Sequence, residues 1–326
     1  MVTRRVCMRM FGFVLALAIV GCVMCSVVHA QAQPSQAATE RIELLRSRIK
    51  AAQDRHAGPA EVGVLWLKLG NRYQDQLDLA SAEDAFVHAL RLLQALGTQA
   101  AYADALDGLG SVYMEMGRLS EAPACLKKSL AIYETLQDHA RAAAVHDALA
   151  MIFLDEKQFR EAEEESAKGL AELQWLAMPN VEELASAYLT HSYAVCYQGR
   201  CEEALKDTSR AMEIVKGKLA ANSVDVAAVW RARGLAEWKA GFPAEGERSM
   251  EEALRIVHSR TDWPTLLRVS GEVGVLRQYA ALLKESNRKQ EAKQVEAQIA
   301  LVEGDAPHPC SDCTVNAAAV GMGFLP

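Results

Sequence analysis

From Gly63 onward, apolar positions recur with a helical period in blocks about forty residues long. In the first block Trp66, Leu69, Gly70 and Tyr73 are spaced three, one and three apart, and Ala82, Phe86 and Ala89 follow at four and three. Each set falls on one face of a 3.6-residue helix, so the block predicts two helices joined by a short turn. The second block carries Leu106, Leu109, Gly110, Tyr113, Gly117, Ala122, Leu126 and Ser129. The third carries His146, Leu149, Ala150, Phe153, Ala162, Ser166 and Gly169, and the fourth Tyr188, Ser192, Gly199, Ala204 and Ala211. The fifth has Trp230, Gly234, Gly241, Gly246, Met250 and Ala253. A weaker sixth has Leu276, Ala280, Leu283, Asn287, Ala292 and Ile299.

One small residue stands at the same point of every first helix: Gly70, Gly110, Ala150, Ser192, Gly234 and Ala280, at intervals of 40, 40, 42, 42 and 46. A small side chain there lets the second helix pack closely. Gly117, Gly199, Gly241 and Asn287 fall where first helices end, and these residue types accept a left-handed cap. Pro243 suits the first turn of its helix. Pro123 lies about three residues into its own, among amides with no intrahelical partner, with Ser120 as the expected N-cap. Ahead of the blocks, Thr39–His56 reads as one amphipathic helix with Ile42, Leu45 and Ile49 on a face, Thr39 as N-cap and an end near Gly58-Pro59.

The order W-x2-L-G-x2-Y followed by A-x3-F resembles the tetratricopeptide repeat, whose usual period is about 34 residues. The longer period here is similar to the variety found in kinesin light chains. The resemblance implies an all-α fold, a superhelical solenoid of five to six helix-turn-helix repeats near 63–96, 103–136, 143–176, 185–218, 227–260 and 273–303. It places a linker and capping helix at 31–58, the solenoid at 59–303 and a tail at 304–326. Trp66, Gly70, Tyr73, Ala82, Gly110, Tyr113, Ala122, Ala150, Ala162, Ala204, Trp230 and Gly234 become the repeat-packing positions. Each repeat buries its apolar face only against its neighbours.

The same resemblance implies a concave groove lined by five positions of each first helix. On this chain the candidate binding residues are Asn71, Asp75, Asp104, Asp107, Glu115, Asp147, Asp155, Tyr193, Tyr197, Arg231, Trp238, Lys239, Arg277 and Lys284. They run from acidic through aromatic to basic, a gradient able to hold a protein or extended peptide in one orientation. Lys68 and Asn71 suit a clamp for a C-terminal carboxylate. Asp104 and Asp107 stand where its basic partners belong, which argues against that ligand.

Composition narrows the field. Alanine fills roughly one position in six, aromatic residues make up 6%, and there are only 20 glycines and 9 prolines. Such a chain favours packed helices over disorder or a β-sandwich. The net charge is −7, and the first thirty residues carry Arg4, Arg5 and Arg9 without an acid, so the remainder is more acidic still. No basic stripe is present, which argues against nucleic acid as a partner.

The N-terminus reads as an export signal: a basic stretch Met1–Arg9, an apolar run Met10–Val28, and Val28-His29-Ala30 ahead of a polar segment. Cleavage after Ala30 makes residues 1–30 a signal peptide and the mature chain periplasmic or secreted. Ile19-Val20-Gly21-Cys22 resembles a bacterial lipoprotein signal, which would lipidate Cys22. Retention as a membrane anchor is the third reading, since nineteen apolar residues just suffice to span. The membrane is therefore a partner only through this segment.

Catalytic signatures such as H-E-x-x-H, G-x-S-x-G and the P-loop are missing, so the chain is expected not to be an enzyme and to need no cofactor and no metal. His146 and His191 fall on core positions, whereas His88, His139 and His258 are expected in solvent on second helices or their exits. Glu163-Glu164-Glu165 reads as a solvated face. Beyond Ala30 five cysteines remain. Cys310 and Cys313 form a C-x-x-C whose simplest reading is a local disulfide, with a zinc half-site using His308, a redox pair or two free thiols as alternatives. Cys196 and Cys201 flank the turn of the fourth repeat and could also pair. Cys125 is expected to pack.

Overall fold

The computed structural model describes residues 36–94, 99–261 and 265–304. The chain divides into two units, Met1–Glu40 and Arg41–Pro326. The first contributes to the described residues only the start of α1 (Gln36–Asp54). The second begins within α1 and continues as six consecutive helical hairpins. They are α2 (Pro59–Gln74) with α3 (Leu79–Leu93), α4 (Gln99–Glu115) with α5 (Ala122–Leu136), and α6 (His139–Asp155) with α7 (Phe159–Gln174). Then come α8 (Val181–Tyr197) with α9 (Cys201–Val215), α10 (Val224–Lys239) with α11 (Pro243–Ser259), and α12 (Thr265–Glu285) with α13 (Lys289–Gly304). Among the described residues there is no strand, and no helix is long and apolar enough to cross a membrane.

The packing is sequential. Each first helix touches its own second helix, the second helix before it and the next first helix. Among the described residues, second helices make no contact with one another. First helices therefore make a continuous inner layer, and second helices an outer one. Phe86, Leu126, Met250 and their neighbours fill the space between layers. α1 covers the open end of the first hairpin with Ile42, Ile49 and Ala52.

All six hairpin turns close in the same way. The residue after the left-handed position returns its amide to a carbonyl five residues back: Asp78 to Tyr73, Arg118 to Tyr113, Gln158 to Phe153, Arg200 to Val195, Phe242 to Glu237 and Arg288 to Leu283, at 2.8–3.0 Å. This is the Schellman arrangement. Gly117, Gly199, Gly241 and Asn287 occupy the left-handed position, as their spacing predicts. Leu77 and Lys157 hold it in the first and third hairpins, with φ of 59° and 60°. Side chains disfavour this region by about 1–2 kcal/mol, so packing imposes it there.

The hairpins start a few residues ahead of the predicted blocks, and several local expectations change. α1 begins at Gln36, so Thr39 lies inside it and is not its N-cap. The N-cap position of α5 is Glu121, not Ser120, and no side chain caps it. The Glu121 carboxylate is instead held by Arg118 at 2.7 Å, with Pro123 in the first turn removing one amide. Side-chain caps are made by Asp78, Asp138, Asn180 and Ser223.

The acidic run on α7 is not a solvated face. Glu163 accepts from Arg200 and Gln198, and Glu165 pairs with the buried His146 at 2.7 Å and with Lys168. These hydrogen bonds, His146 foremost, hold the Glu165 carboxyl down at about 2. Only Glu164 behaves as expected, exposed and opposite Arg160. His191 is likewise bonded to Asp207 at 2.8 Å. His139 is the first residue of α6, not part of a second helix, and it bonds Glu172 and stacks on Trp175. Cys196 and Cys201 are joined as a disulfide across the fourth turn, and Cys125 is a half-buried free thiol.

An arginine directly after the left-handed residue recurs in alternate hairpins. Arg118, Arg200 and Arg288 each reach a glutamate three residues on (Glu121, Glu203, Glu291) and a second one on the preceding outer helix (Glu83, Glu163, Glu247). Each arginine thus ties two hairpins together. The G/N-R-x-x-E pattern is visible in the sequence, but its third member lies about forty residues upstream and belongs to no local motif.

Candidate binding surface

The inner layer carries the predicted groove positions, and the structure links them across every junction. Gln74 Nε2 donates to Glu115 Oε1 at 2.6 Å, joining α2 to α4. Arg141 pairs with Asp104 at 3.1 Å, joining α6 to α4. Ser186 Oγ donates to Asp147 Oδ2 at 2.8 Å, joining α8 to α6. Arg231 Nε donates to the Tyr193 hydroxyl at 3.2 Å, joining α10 to α8. Lys239 bonds Glu285 at 2.8 Å, and Trp238 Nε1 donates to Ser286 Oγ at 2.9 Å, joining α10 to the end of α12.

Many of these side chains are consequently buried. Tyr193, Arg231 and Trp238 are 5–7% exposed and pack between hairpins. Tyr197 is half-buried, stacked on Phe159 and approached by the Lys239 ammonium. Burial pushes its hydroxyl well above the ordinary range. Asn71 and Asp75 are exposed, with Asp75 paired to Arg72, and Asp155 is half-exposed. Arg277 and Lys284 are exposed but pair with Glu303 and Glu296 on α13. The basic end of the gradient is therefore largely matched by acids that the spacing of single helices does not reveal.

The acidic end behaves differently. Asp107 is half-buried beside Asp104, and desolvation followed by that neighbouring charge raises it to about 6, against the opposing pull of Arg141. Asp104 accepts from the Tyr133 hydroxyl at 2.9 Å. Burial also raises Glu115, opposed by its bond from Gln74. Burial raises Asp147, opposed by the hydroxyls of Thr190 and Ser186. Thr190, Glu182, Glu183 and Asp225, which surround Asp147, lie outside the predicted groove set. The acidic first turns after Asn180 and Ser223 are the sequence signal for Glu182, Glu183 and Asp225, and Thr190, inside α8, has none.

The packing positions lie at the layer contacts. Gly70 faces the ring of Phe86, and Gly110 faces Leu126, with 2.8 Å between each glycine's ideal Cβ position and the nearest carbon. Tyr73, Ala82, Ala122, Ala150, Ala162, Ala204 and Gly234 are buried. Trp66, Tyr113 and Trp230 are half-buried: Trp66 stacks on His88, Arg118 lies 4.3 Å over Tyr113, and Arg233 lies 5.8 Å over Trp230. His88 is exposed, and the exposed His258 pairs with the buried Glu272. Among the described residues no group of three His, Cys, Asp or Glu could hold a metal ion. Cys22, Cys310, Cys313 and the whole export signal lie outside the described residues.

Residues 61–135 and 102–171 match the tetratricopeptide repeat family model. The match covers the first three hairpins, which are tetratricopeptide repeats, and the other three share their two layers and their turn geometry. Solved structures share the fold. BtubC (BKLC) from P. vanneervenii is 21% identical over 70% of this chain and 91% of that one, with a TM-score of 0.54. The apo form of RapI is 13% identical over 79% and 90%, with a TM-score of 0.67. The Rap conjugation gene regulator of plasmid pLS20, solved in complex with the Phr* peptide, is 13% identical over 81% and 73%, with a TM-score of 0.51. No curated protein sequence matches the chain.

Proposed function

We propose that this chain is an exported, non-enzymatic scaffold that holds a protein or an extended peptide along the inner layer of its first helices. The observation that carries the reading is the unbroken contact of first helix with first helix through six hairpins, which sets one continuous surface in front of a partner. The fold-level likeness to a regulator solved with a peptide supports it. Export is supported by the N-terminal signal pattern and by the Cys196–Cys201 disulfide, a bond that persists in oxidising compartments. Residues 19–22 favour a lipid-anchored version of the same scaffold. Mass spectrometry of the mature N-terminus separates the two: a free terminus at Gln31 excludes the anchor, and a lipidated Cys22 establishes it.

The binding reading is tested by crosslinking in the native envelope with wild type and with Asp75→Lys/Asp155→Lys. These two acids sit on the inner layer without supporting the core. The expected result is loss of the crosslinked partner with an unchanged circular dichroism spectrum. Retention of every wild-type partner overturns the reading.

A further inference from the structure

Two cavities join into one cleft at the N-terminal end of the solenoid. The first, of about 430 Å³, lies between α1 and α3 over the middle of α2. The second, of about 460 Å³, lies between the end of α1, the start of α2 and the last turns of α3. They share Gln53, Trp66 and His88, so the Trp66–His88 stack, with ring centroids 4.5 Å apart, marks where they meet. Along α3 the cleft runs from Ser81 to Leu92, about 16 Å or three helical turns.

The stacking of repeats explains the opening. Every later first helix meets two helices of the hairpin before it. Among the described residues α2 has only α1 ahead of it, so one helix covers a face that elsewhere takes two. The strip left open is apolar along its floor, to which Ile49, Val62, Trp66 and Leu69 contribute. Trp66 is half-buried, and its indole N–H has no hydrogen-bond partner among the described residues, whereas Trp238 Nε1 reaches Ser286.

The walls are basic in a chain of net charge −7. Arg46 and Lys50 stand on α1 and Arg91 on α3, against a single acid, Asp84. Arg46 is already held by the Tyr73 hydroxyl and by Glu43. Lys50 and Arg91 are exposed and form no ion pair among the described residues. They differ in this from Arg118, Arg200 and Arg288, whose charge is taken up by glutamates of their own and the preceding hairpin. His88 Nδ1 donates to the Asp84 carbonyl at 2.8 Å, which holds the ring against Trp66.

The chemistry of the occupant follows from floor and walls together. Nucleic acid binding rests on a longer stripe of cations than these. An added strand needs an open backbone edge, and three helices offer none. A helix of about three turns matches the length, with apolar side chains for the floor and carboxylates for the two walls.

We propose that this cleft docks one acidic amphipathic helix of a partner protein, its apolar face on Trp66 and its carboxylates against Lys50 and Arg91. The site shares no residue with the predicted inner-layer set, so it adds a second binding surface and does not depend on the first.

The probe is the peptide acetyl-ELAELLEELAELLE-amide, titrated by calorimetry into the purified full chain at low ionic strength. Saturable one-to-one binding is expected, and replacing every glutamate of the peptide by glutamine should weaken it by about tenfold or more. Lys50→Glu/Arg91→Glu should weaken it by about as much. Lys127→Glu/Lys128→Glu makes the same charge change at exposed, unpaired lysines of α5 and should leave binding unchanged. Circular dichroism and the melting temperature report whether each variant folds, and Lys50→Gln/Arg91→Gln gives a milder route to the same loss. In wild type the bound peptide should protect Lys50, and not Lys127, from acetylation by acetic anhydride, read by mass spectrometry. No saturable binding, equal binding of the glutamine peptide, binding that survives the Lys50 and Arg91 reversals, or no protection of Lys50 overturns the proposal. Self-association of the chain that requires Lys50 and Arg91 and excludes the peptide overturns the partner and assigns the cleft to a second copy. Neither Asp75 nor Asp155 is touched by these variants. Failure here with partner capture intact therefore removes only the cleft, and the converse removes only the inner-layer reading.

Discussion

Arg118, in the turn of the second hairpin, donates to both carboxylate oxygens of Glu83 in the first hairpin, at 2.8 and 2.9 Å. The same guanidinium grips Glu121 and lies over Tyr113, so one side chain joins two repeats and covers an aromatic ring. Isolated surface ion pairs contribute little, but a forked network over an aromatic face is stronger. Arg118→Ala should therefore destabilise the protein by about 1–2 kcal/mol in urea unfolding. Arg118→Lys should recover less than half of that loss, because an ammonium cannot fork to two carboxylates in one plane. Equal stability of the lysine variant and wild type would refute the forked geometry.

Gly234 and Gly246 face each other across the α10–α11 crossing. A Cβ on either would meet the other's carbonyl oxygen, at 3.0 Å from Gly234 and 2.8 Å from Gly246. Alanine is the better helix former by about 1 kcal/mol, which an open site would gain. Here the obstacle is backbone and cannot swing aside. Gly246→Ala should lower stability by about 1–3 kcal/mol. Gly169→Ala, whose nearest contacts are 3.3 Å away, should lie close to neutral. Thermal unfolding of the pair provides the comparison.

Asp107 makes stability depend on pH in a stated direction. Its carboxyl is raised from 3.8 to about 6 in the folded chain, so the folded state holds the proton more tightly than the unfolded one. The penalty is absent below pH 3.8, grows as pH rises to about 6, and is complete above it. The full rise corresponds to about 3 kcal/mol. Asp107→Asn should therefore stabilise the protein by up to that amount at pH 7.5, and the gain should vanish at pH 3.5. A gain independent of pH would mean that charge on Asp107 is not the cause.

The Cys196–Cys201 bridge closes a small loop, with a sequence separation of 5. Loop-closure entropy for so short a ring is about 2 kcal/mol. Cys196→Ala/Cys201→Ala should unfold at lower urea by that order, and a reducing agent should destabilise wild type while leaving the double variant unchanged. A variant as stable as oxidised wild type would show that the bridge adds nothing to the fold.

The repeat pattern was legible because its determinants are local. Gly70, Gly110 and Gly234 mark helix crossings, and Gly117, Gly199, Gly241 and Asn287 mark turns, each through a conformational property of its own residue type. Leu77 and Lys157 hid two further turns, since nothing in those side chains announces a left-handed backbone. The charge gradient read along the groove was similarly incomplete. Lys239 is answered by Glu285 and Arg231 by Tyr193, partners 46 and 38 residues away. The acidic run on α7 looked solvated for the same reason, because Arg200 and His146 reach it from other helices.

The sequence by itself determined that this chain builds paired helices at a forty-residue period, where they cross, and how most of them turn. Those properties depend on side-chain size and backbone freedom within a few residues. Tertiary structure alone decided which charges are spent holding repeats together and which are left over. Stacking brings residues one period apart into contact, and only then does Asp147 meet the hydroxyls of Ser186 and Thr190 on the next first helix.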